Sequence, residues 1–215
     1  TTGSNNSAFG IQALGSNTAE HNSAFGTNSL LSNTTGTYNT AFGATALQTN
    51  TTSNSNTAVG YAALYTNTGA DNTAVGYNAL NDNTTGQYNT AVGYEALENN
   101  TTSSYNTAVG WDALKTQTTG NQNTAVGYRA GDDMTGNASV FFGNHAGDGL
   151  TTGDQCTMLG YYAGVGNLGA TTNHQLYIAR NDAGAGASAT WIRGDGNGAC
   201  FQGNNSSSWS TTSDR

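Results

Sequence analysis

The chain has no proline, and charge is scarce: 8% of its 215 residues are charged, against about 25% in ordinary globular proteins. Only five residues are Lys or Arg, and the net charge is −8. So few cations cannot neutralise a phosphate backbone, which excludes nucleic acid as a partner. Apolar runs are short as well. None approaches the ~18–20 residues of a membrane-spanning helix, so no membrane insertion is expected. No secretory leader is visible. The two cysteines, Cys156 and Cys200, admit either a disulfide or two buried thiols and identify no redox compartment. Low hydrophobicity is one half of the signature of disorder. The other half, high charge, is replaced here by a strict repeat, so the chain is expected to fold.

The repeat is what the sequence has in abundance. A unit such as Asn89-Thr90-Ala91-Val92-Gly93-Tyr94-Glu95-Ala96-Leu97 recurs ten times. Its glycines are Gly10, Gly26, Gly43, Gly60, Gly76, Gly93, Gly110, Gly127, Gly143 and Gly160, each 16 or 17 residues after the last. A fixed short period signals a stack of identical supersecondary units. This one is too short for a helix pair and fits one coil of a β-solenoid, two short strands and two turns. Thr90, Val92 and Tyr94 alternate with Ala91, Gly93 and Glu95, the period of a strand. Length varies at Asn83-Thr84-Thr85-Gly86 against Asn67-Thr68-Gly69. Variation belongs in turns, because a slip within a strand would turn every side chain to the other face.

Each column carries its own expectation. The residue before the glycine is Phe9, Phe25, Phe42, Val59, Val75, Val92, Val109, Val126, Phe142 or Leu159, always apolar, and is assigned to the core. The residue before that is Ala in eight coils, then Phe141 and Met158. Alanine beside an invariant glycine implies close backbone approach across a thin layer. The Asn column from Asn6 to Asn123 can stack into an amide ladder, and its Ser/Thr neighbours from Ser7 to Thr124 can do the same with hydroxyls. After the glycine come Tyr61, Tyr77, Tyr94, Trp111, Tyr128 and Tyr161. This strip is either a sugar-binding surface or a packing ladder that needs no ligand. The next column, from Gln12 to Tyr162, shares no chemistry and is placed in solvent. One coil offers few apolar side chains, thin compensation for ordering 17 residues at about 1–2 kcal/mol each. A second apolar surface shared between chains is therefore expected, and with it a homo-oligomer. Ten coils at ~4.8 Å make a rod of about 45–50 Å.

The pattern changes near residue 130. Seven coils carry leucine four residues after the glycine, Leu14 through Leu114; in the last three it becomes Gly131, Gly147 and Gly164. Phe141 and Met158 replace alanine over the same stretch, so bulk moves from one column to another. After Gly164 the period stops. Residues 175–180, 190–193 and 199–201 are expected to be strands linked by glycine-rich segments, and a Ser-rich tail runs from Asn204 to Ser210. The chain divides into a repeat domain at 1–164, a β-rich cap or transition at 165–203, and a Ser/Thr-rich end at 204–215. It starts inside a repeat-like segment, Ser7-Ala8-Phe9-Gly10, so a longer parent protein is expected.

The Asn-Thr/Ser-Ala-Val/Phe-Gly units at 5–164 resemble the left-handed parallel β-roll heads of YadA-type trimeric autotransporter adhesins, whose units are usually shorter. The last three copies, with Ala-Gly, lie closer to that pattern. Leu176-Tyr177-Ile178-Ala179, Gly194-Asp195-Gly196-Asn197-Gly198 and Ser208-Trp209-Ser210-Thr211-Thr212-Ser213-Asp214-Arg215 resemble the region before the self-cleaving chaperone domain of phage tail fibres and tail spikes. In that family a Ser-Asp junction opens the chaperone, and Ser213 and Asp214 match it; the dyad's lysine would lie past Arg215. Together the resemblances imply an all-β homotrimeric shaft in a virion, with other fibre proteins and a host-surface glycan or protein as partners. A bacterial cell-surface adhesin head is the alternative.

Other motifs carry less. Arg193-Gly194-Asp195 lies in a glycine-rich turn and is taken as coincidence. Asp195-Gly196-Asn197-Gly198 lacks the length and distal glutamate of a calcium loop, and the same holds for Asp132-Asp133 and for Asp148 with Asp154. His21, His145 and His174 are scattered, so no metal and no cofactor are expected. Glu95, Glu98 and Asp112 are the nearest approach to a carboxylate patch, with no repeated partner, so an enzyme is not expected. The readings carried forward are a structural, receptor-binding fibre segment, a depolymerase fragment and an ice-binding solenoid.

Overall fold

The computed structural model describes residues 3–164, 173–179, 190–194 and 200–202. Among them the chain is all-β, without a helix, and is a parallel-strand β-solenoid of ten coils. Each coil contributes one three-residue strand: β1 Ser7–Phe9, β2 Ser23–Phe25, β3 Thr40–Phe42, β4 Thr57–Val59, β5 Thr73–Val75, β6 Thr90–Val92, β7 Thr107–Val109, β8 Thr124–Val126, β9 Val140–Phe142 and β10 Thr157–Leu159. They pair in parallel in sequence order, with equivalent residues in register, so Ala74 faces Ala91 and Ala91 faces Ala108. Then β11, Leu176–Ala179, joins β10 in parallel, setting Tyr177 beside Met158. The strands β12, Thr190–Gly194, and β13, Cys200–Gln202, follow antiparallel. All three lie where strands were expected, and β11 extends the stack as an eleventh parallel strand. Ser213 and Asp214 lie outside the described residues.

The expected second strand per coil is replaced by turns. Three positions in most coils hold a left-handed backbone, for example Tyr88 (φ 57°), Glu95 (φ 54°) and Leu97 (φ 52°) in the coil of Gly93. Such a backbone cannot run extended. The half-coil still bonds its neighbours: Leu97 N–H donates to the Ala113 carbonyl at 3.0 Å and Asn99 N–H to Lys115 at 3.1 Å.

The core is a zipper of two main columns, with a third of buried alanines from Ala46 to Ala163 one residue before the leucine position. Inward from the sheet come the alanines from Ala24 to Ala125, and from the opposite half-coil the leucines from Leu14 to Leu114, all essentially inaccessible. The pre-glycine column is not core, and the sequence-based assignment of Phe42, Val59, Val75, Val92, Val109, Val126, Phe142 and Leu159 is corrected. Phe42 is 57% exposed, Phe142 54% and Leu159 43%, while Val59, Val75 and Val126 are half-buried. Neighbouring strand residues point to opposite faces. With alanine turned inward, Val or Phe must turn out.

The glycine column is required twice over. Gly93 has φ 145°, a region closed to side chains, and a Cβ on it would lie 2.2 Å from the Gly110 carbonyl oxygen. Gly43, Gly60, Gly76, Gly110, Gly127, Gly143 and Gly160 repeat the pattern. Their N–H groups donate to the pre-glycine carbonyl one coil back, as Gly93 does to Val75 at 2.8 Å. Val92 and Tyr94, two residues apart on either side of this glycine, both reach the surface, as a period of two requires.

Candidate functional site

Two amide ladders hold the buried polar interior. In the expected one, each Asn side chain accepts the backbone N–H of its successor: Asn89 N–H bonds Asn72 Oδ1 and Asn106 N–H bonds Asn89 Oδ1, both at 3.0 Å. Its Nδ2 donates to a turn carbonyl, Ser103 O for Asn89 at 2.9 Å. A second ladder, Asn17, Asn33, Asn50, Asn67, Asn83 and Asn100, has the sequence pattern of loops yet is fully buried. There Nδ2 of one donates to Oδ1 of the one before, 2.7 Å for Asn83 to Asn67. Burial without partners would cost about 1–3 kcal/mol per group, so these ladders are structure and not a ligand site. Ser139 and Cys156 occupy the last two slots of the first ladder. The Cys156 amide N–H donates to Ser139 Oγ at 3.0 Å. Cys156 is buried, its Sγ lies 3.5 Å from the Asp154 carbonyl, and burial pushes its thiol pKa up. The strand hydroxyls from Ser7 to Thr124 point outward with Val and Phe and do not bond one another.

Two exposed strips run along the rod. One is the outward pre-glycine column, where Phe25 and Phe42 stack at 5.6 Å. The other is the aromatic strip, exposed throughout. Tyr61 and Tyr77 stack at 5.4 Å, Tyr77 and Tyr94 at 5.0 Å, Tyr94 and Trp111 at 4.4 Å. Tyr128 is tilted 45° from Trp111. Tyr161 lies beyond Asn144 and meets Tyr162 edge-on at 4.6 Å. Outside the expected strip, Tyr88 and Tyr105 stack at 4.9 Å on another corner.

Beside the aromatic strip is a flank built from the columns two and five residues after the glycine. The first was placed in free solvent, but its charged members meet the second. Lys115 gathers Glu95, Glu98 at 3.6 Å and Asp112 at 3.4 Å. Arg129 Nε and a terminal guanidinium nitrogen both donate to Asp132 Oδ2, at 2.9 and 2.8 Å. His145 Nδ1 lies 2.6 Å from Asp148. Burial pushes the Glu95 carboxyl up, but hydrogen bonds from Lys115 and Tyr94 outweigh it and hold it below the usual value. Glu98 is raised, by burial and then by the Glu95 charge. The Glu95 hydrogen bond holds the Lys115 ammonium on its proton. Burial raises Asp132 despite Arg129. These carboxylates are spent on internal cations. No group of three His, Cys, Asp or Glu side chains among the described residues could hold a metal ion.

Toward the other end the flank is open. Thr45, Gln48, Tyr61, Ala62, Tyr65, Tyr77, Asn78 and Asn81 line an open cleft of about 430 Å³. No motif marks it in the sequence: alanine falls at position 62, where the next coil carries Asn78. No family model, no curated protein and no solved structure matches this chain. The fold thus defines a class, the parallel β-solenoids, and the rest is argued from the surface.

Proposed function

We propose that the chain is a stiff, homotrimeric segment of a viral tail fibre that holds and displays contacts to a host surface. The observation that carries this is the outward apolar column from Phe9 to Leu159. It runs the whole length of the sheet on a chain whose core is only one Ala–Leu layer thick. Contiguous exposed apolar patches of this kind mark interaction surfaces, and a straight stripe on every chain suits identical rods packing side by side. The sequence resemblances supply the virion setting, and three parallel copies would multiply weak contacts to a host glycan or protein. Light scattering tests the assembly: the expected mass is three times the 21.9 kDa chain, and a monodisperse monomer overturns it. Decoration of bacterial cells by the labelled protein tests the attachment role.

The outward Ser/Thr column from Ser7 to Thr124 favours one second reading, an ice-binding face. Unlike the uneven turns, these hydroxyls are in strict register along the sheet. They share a face with the apolar column, so trimerisation would cover them. Thermal hysteresis in a monomeric preparation would support this reading over the first.

A further inference from the structure

A sugar platform needs an open ring face. In the middle of the aromatic strip no ring face is open, because Tyr77 and Tyr94 are each covered on both sides by near-parallel neighbours within 5.4 Å. Toward the far end Trp111 and Tyr128 tilt apart and Tyr161 meets Tyr162 only edge-on. At the near end the strip stops at Tyr61. Its successor Tyr77 covers one face, but the residue one coil earlier is Ala44, which leaves the other face without a ring. The open cleft lies at this end of the strip.

The cleft's lining is mixed. Buried Ala62 lines it together with the rings of Tyr61, Tyr65 and Tyr77. The Gln48 amide has no side-chain partner. Asn81 uses its Nδ2 on the Ala62 carbonyl at 3.0 Å, and Asn78 uses its own on Glu98 at 3.2 Å. Each therefore presents an amide oxygen as acceptor. Thr45 Oγ1 is buried at the edge of the same cleft with no hydrogen-bond partner. Acceptor-rich amides beside ring carbon suit a ligand that carries many hydroxyl donors on an apolar ring face. The charge pattern narrows it further. The described basic side chains, Lys115 and Arg129, sit farther along the flank and are bound to carboxylates, and the charged group that a lining residue does touch, Glu98 on Asn78, is acidic. Nothing in the cleft would hold an anionic sugar.

We propose that this cleft binds one or two neutral pyranose units of a glycan chain, stacked on the free face of Tyr61 and held by Gln48, Asn78 and Asn81. This gives the surface-attachment role a place and a ligand class, and to that extent it rests on that role. It does not depend on the number of chains.

Affinity electrophoresis of the whole chain tests it, in gels containing dextran, mannan, galactan or polygalacturonate. Retardation is expected in at least one neutral gel. It should fall at least tenfold in affinity with Tyr61→Leu and with the surface variant Gln48→Ala, and stay unchanged with Tyr161→Leu. Circular dichroism and light scattering establish that each variant keeps the wild-type fold and mass. Absence of retardation in every neutral gel, retention that survives both cleft variants, or stronger retardation by polygalacturonate overturns the proposal. A trimer that binds no neutral glycan defeats this inference alone, and a monomer that binds one defeats the assembly reading alone.

Discussion

The first seven coils and the last three put the same backbone position, four residues after the glycine, into a left-handed conformation and fill it differently. In the first set it is leucine: Leu64 has φ 52°, Leu97 52° and Leu114 51°. In the last set it is Gly131 (φ 59°), Gly147 (φ 73°) and Gly164 (φ 81°). Leucine pays about 1–2 kcal/mol for the wrong-handed backbone, and full burial of its side chain returns about 1.5–3 kcal/mol. Glycine removes the strain and the volume together, and the volume then comes from the strand. A Cβ on Gly147 would lie 2.2 Å from the Phe141 ring, and one on Gly131 would lie 2.7 Å from it. One phenyl ring therefore fills the space of two missing leucines. What is held constant along the rod is the core volume summed over two facing columns, not the residue in either.

The glycine column is common to both regions and should be the most sensitive place in the molecule. Gly93→Ala combines a φ closed to side chains with a contact between Cβ and backbone. It should cost about 4 kcal/mol or more, from strain and overpacking together. Loss of the cooperative far-ultraviolet melt would show it; a variant that melts within a few degrees of wild type would break the account of this column.

The exchange between columns can be tested directly. Phe141→Ala should cost about 3–4 kcal/mol in chemical denaturation, because the void spans two coils. Gly147→Leu alone should also destabilise, since the new side chain meets the ring. Combined, the two restore the alanine and leucine of the earlier coils at Gly147 and leave only the space beside Gly131 unfilled, so the pair should be less damaging than the sum of the singles by about 1–3 kcal/mol. Additive losses would mean that the two columns do not share volume.

A smaller effect carries a sharper sign. At an ordinary position Ala→Gly destabilises by roughly 0.5–1 kcal/mol. At residue 97 the order should invert, with Leu97→Gly more stable than Leu97→Ala by about 1 kcal/mol, because only glycine takes φ 52° without strain. At Ala96, one residue earlier and equally buried, Gly should be the worse choice.

This comparison also marks what the sequence could disclose. The period, the strand position, the glycine and first Asn columns and the shift near residue 130 were legible, because each is a repetition and repetition survives stacking. The direction of the pre-glycine column was misread. Both Ala91 and Val92 are apolar, and composition does not say which of two neighbours turns in, although strict alternation would have forbidden both. The left-handed leucines were invisible, since they run against intrinsic preference and only the glycines that replace them hint at it. The second Asn ladder resembled ordinary turn chemistry. The flank came together because columns three residues apart in one coil also meet those of the next coil, and no linear motif records that.

The flank repeats the contrast at lower energy. In the leucine region Lys115 reaches back one coil to Glu95 and Glu98, so its ion pairs tie coil to coil. In the glycine region Arg129–Asp132 and His145–Asp148 close within a single coil. Lys115→Met should therefore lower stability at pH 7 by about 1 kcal/mol, the upper range for partly exposed pairs, and Arg129→Met should act only locally. The pH dependence follows from the signs. Glu95, held below its ordinary value of 4.5, contributes stability above that value and loses it as pH falls through its folded pKa. Lys115, held above its ordinary 10.5, contributes below that value and loses it as pH rises through its folded pKa. Glu98, raised by burial and by Glu95, works against the cluster once charged. The difference between wild type and Lys115→Met should accordingly peak near neutrality and shrink below about pH 4, where the carboxylates take up protons. A gap in melting temperature that stays constant from pH 3 to pH 8 would show that Lys115 acts by packing its stem and not by joining the coils through charge.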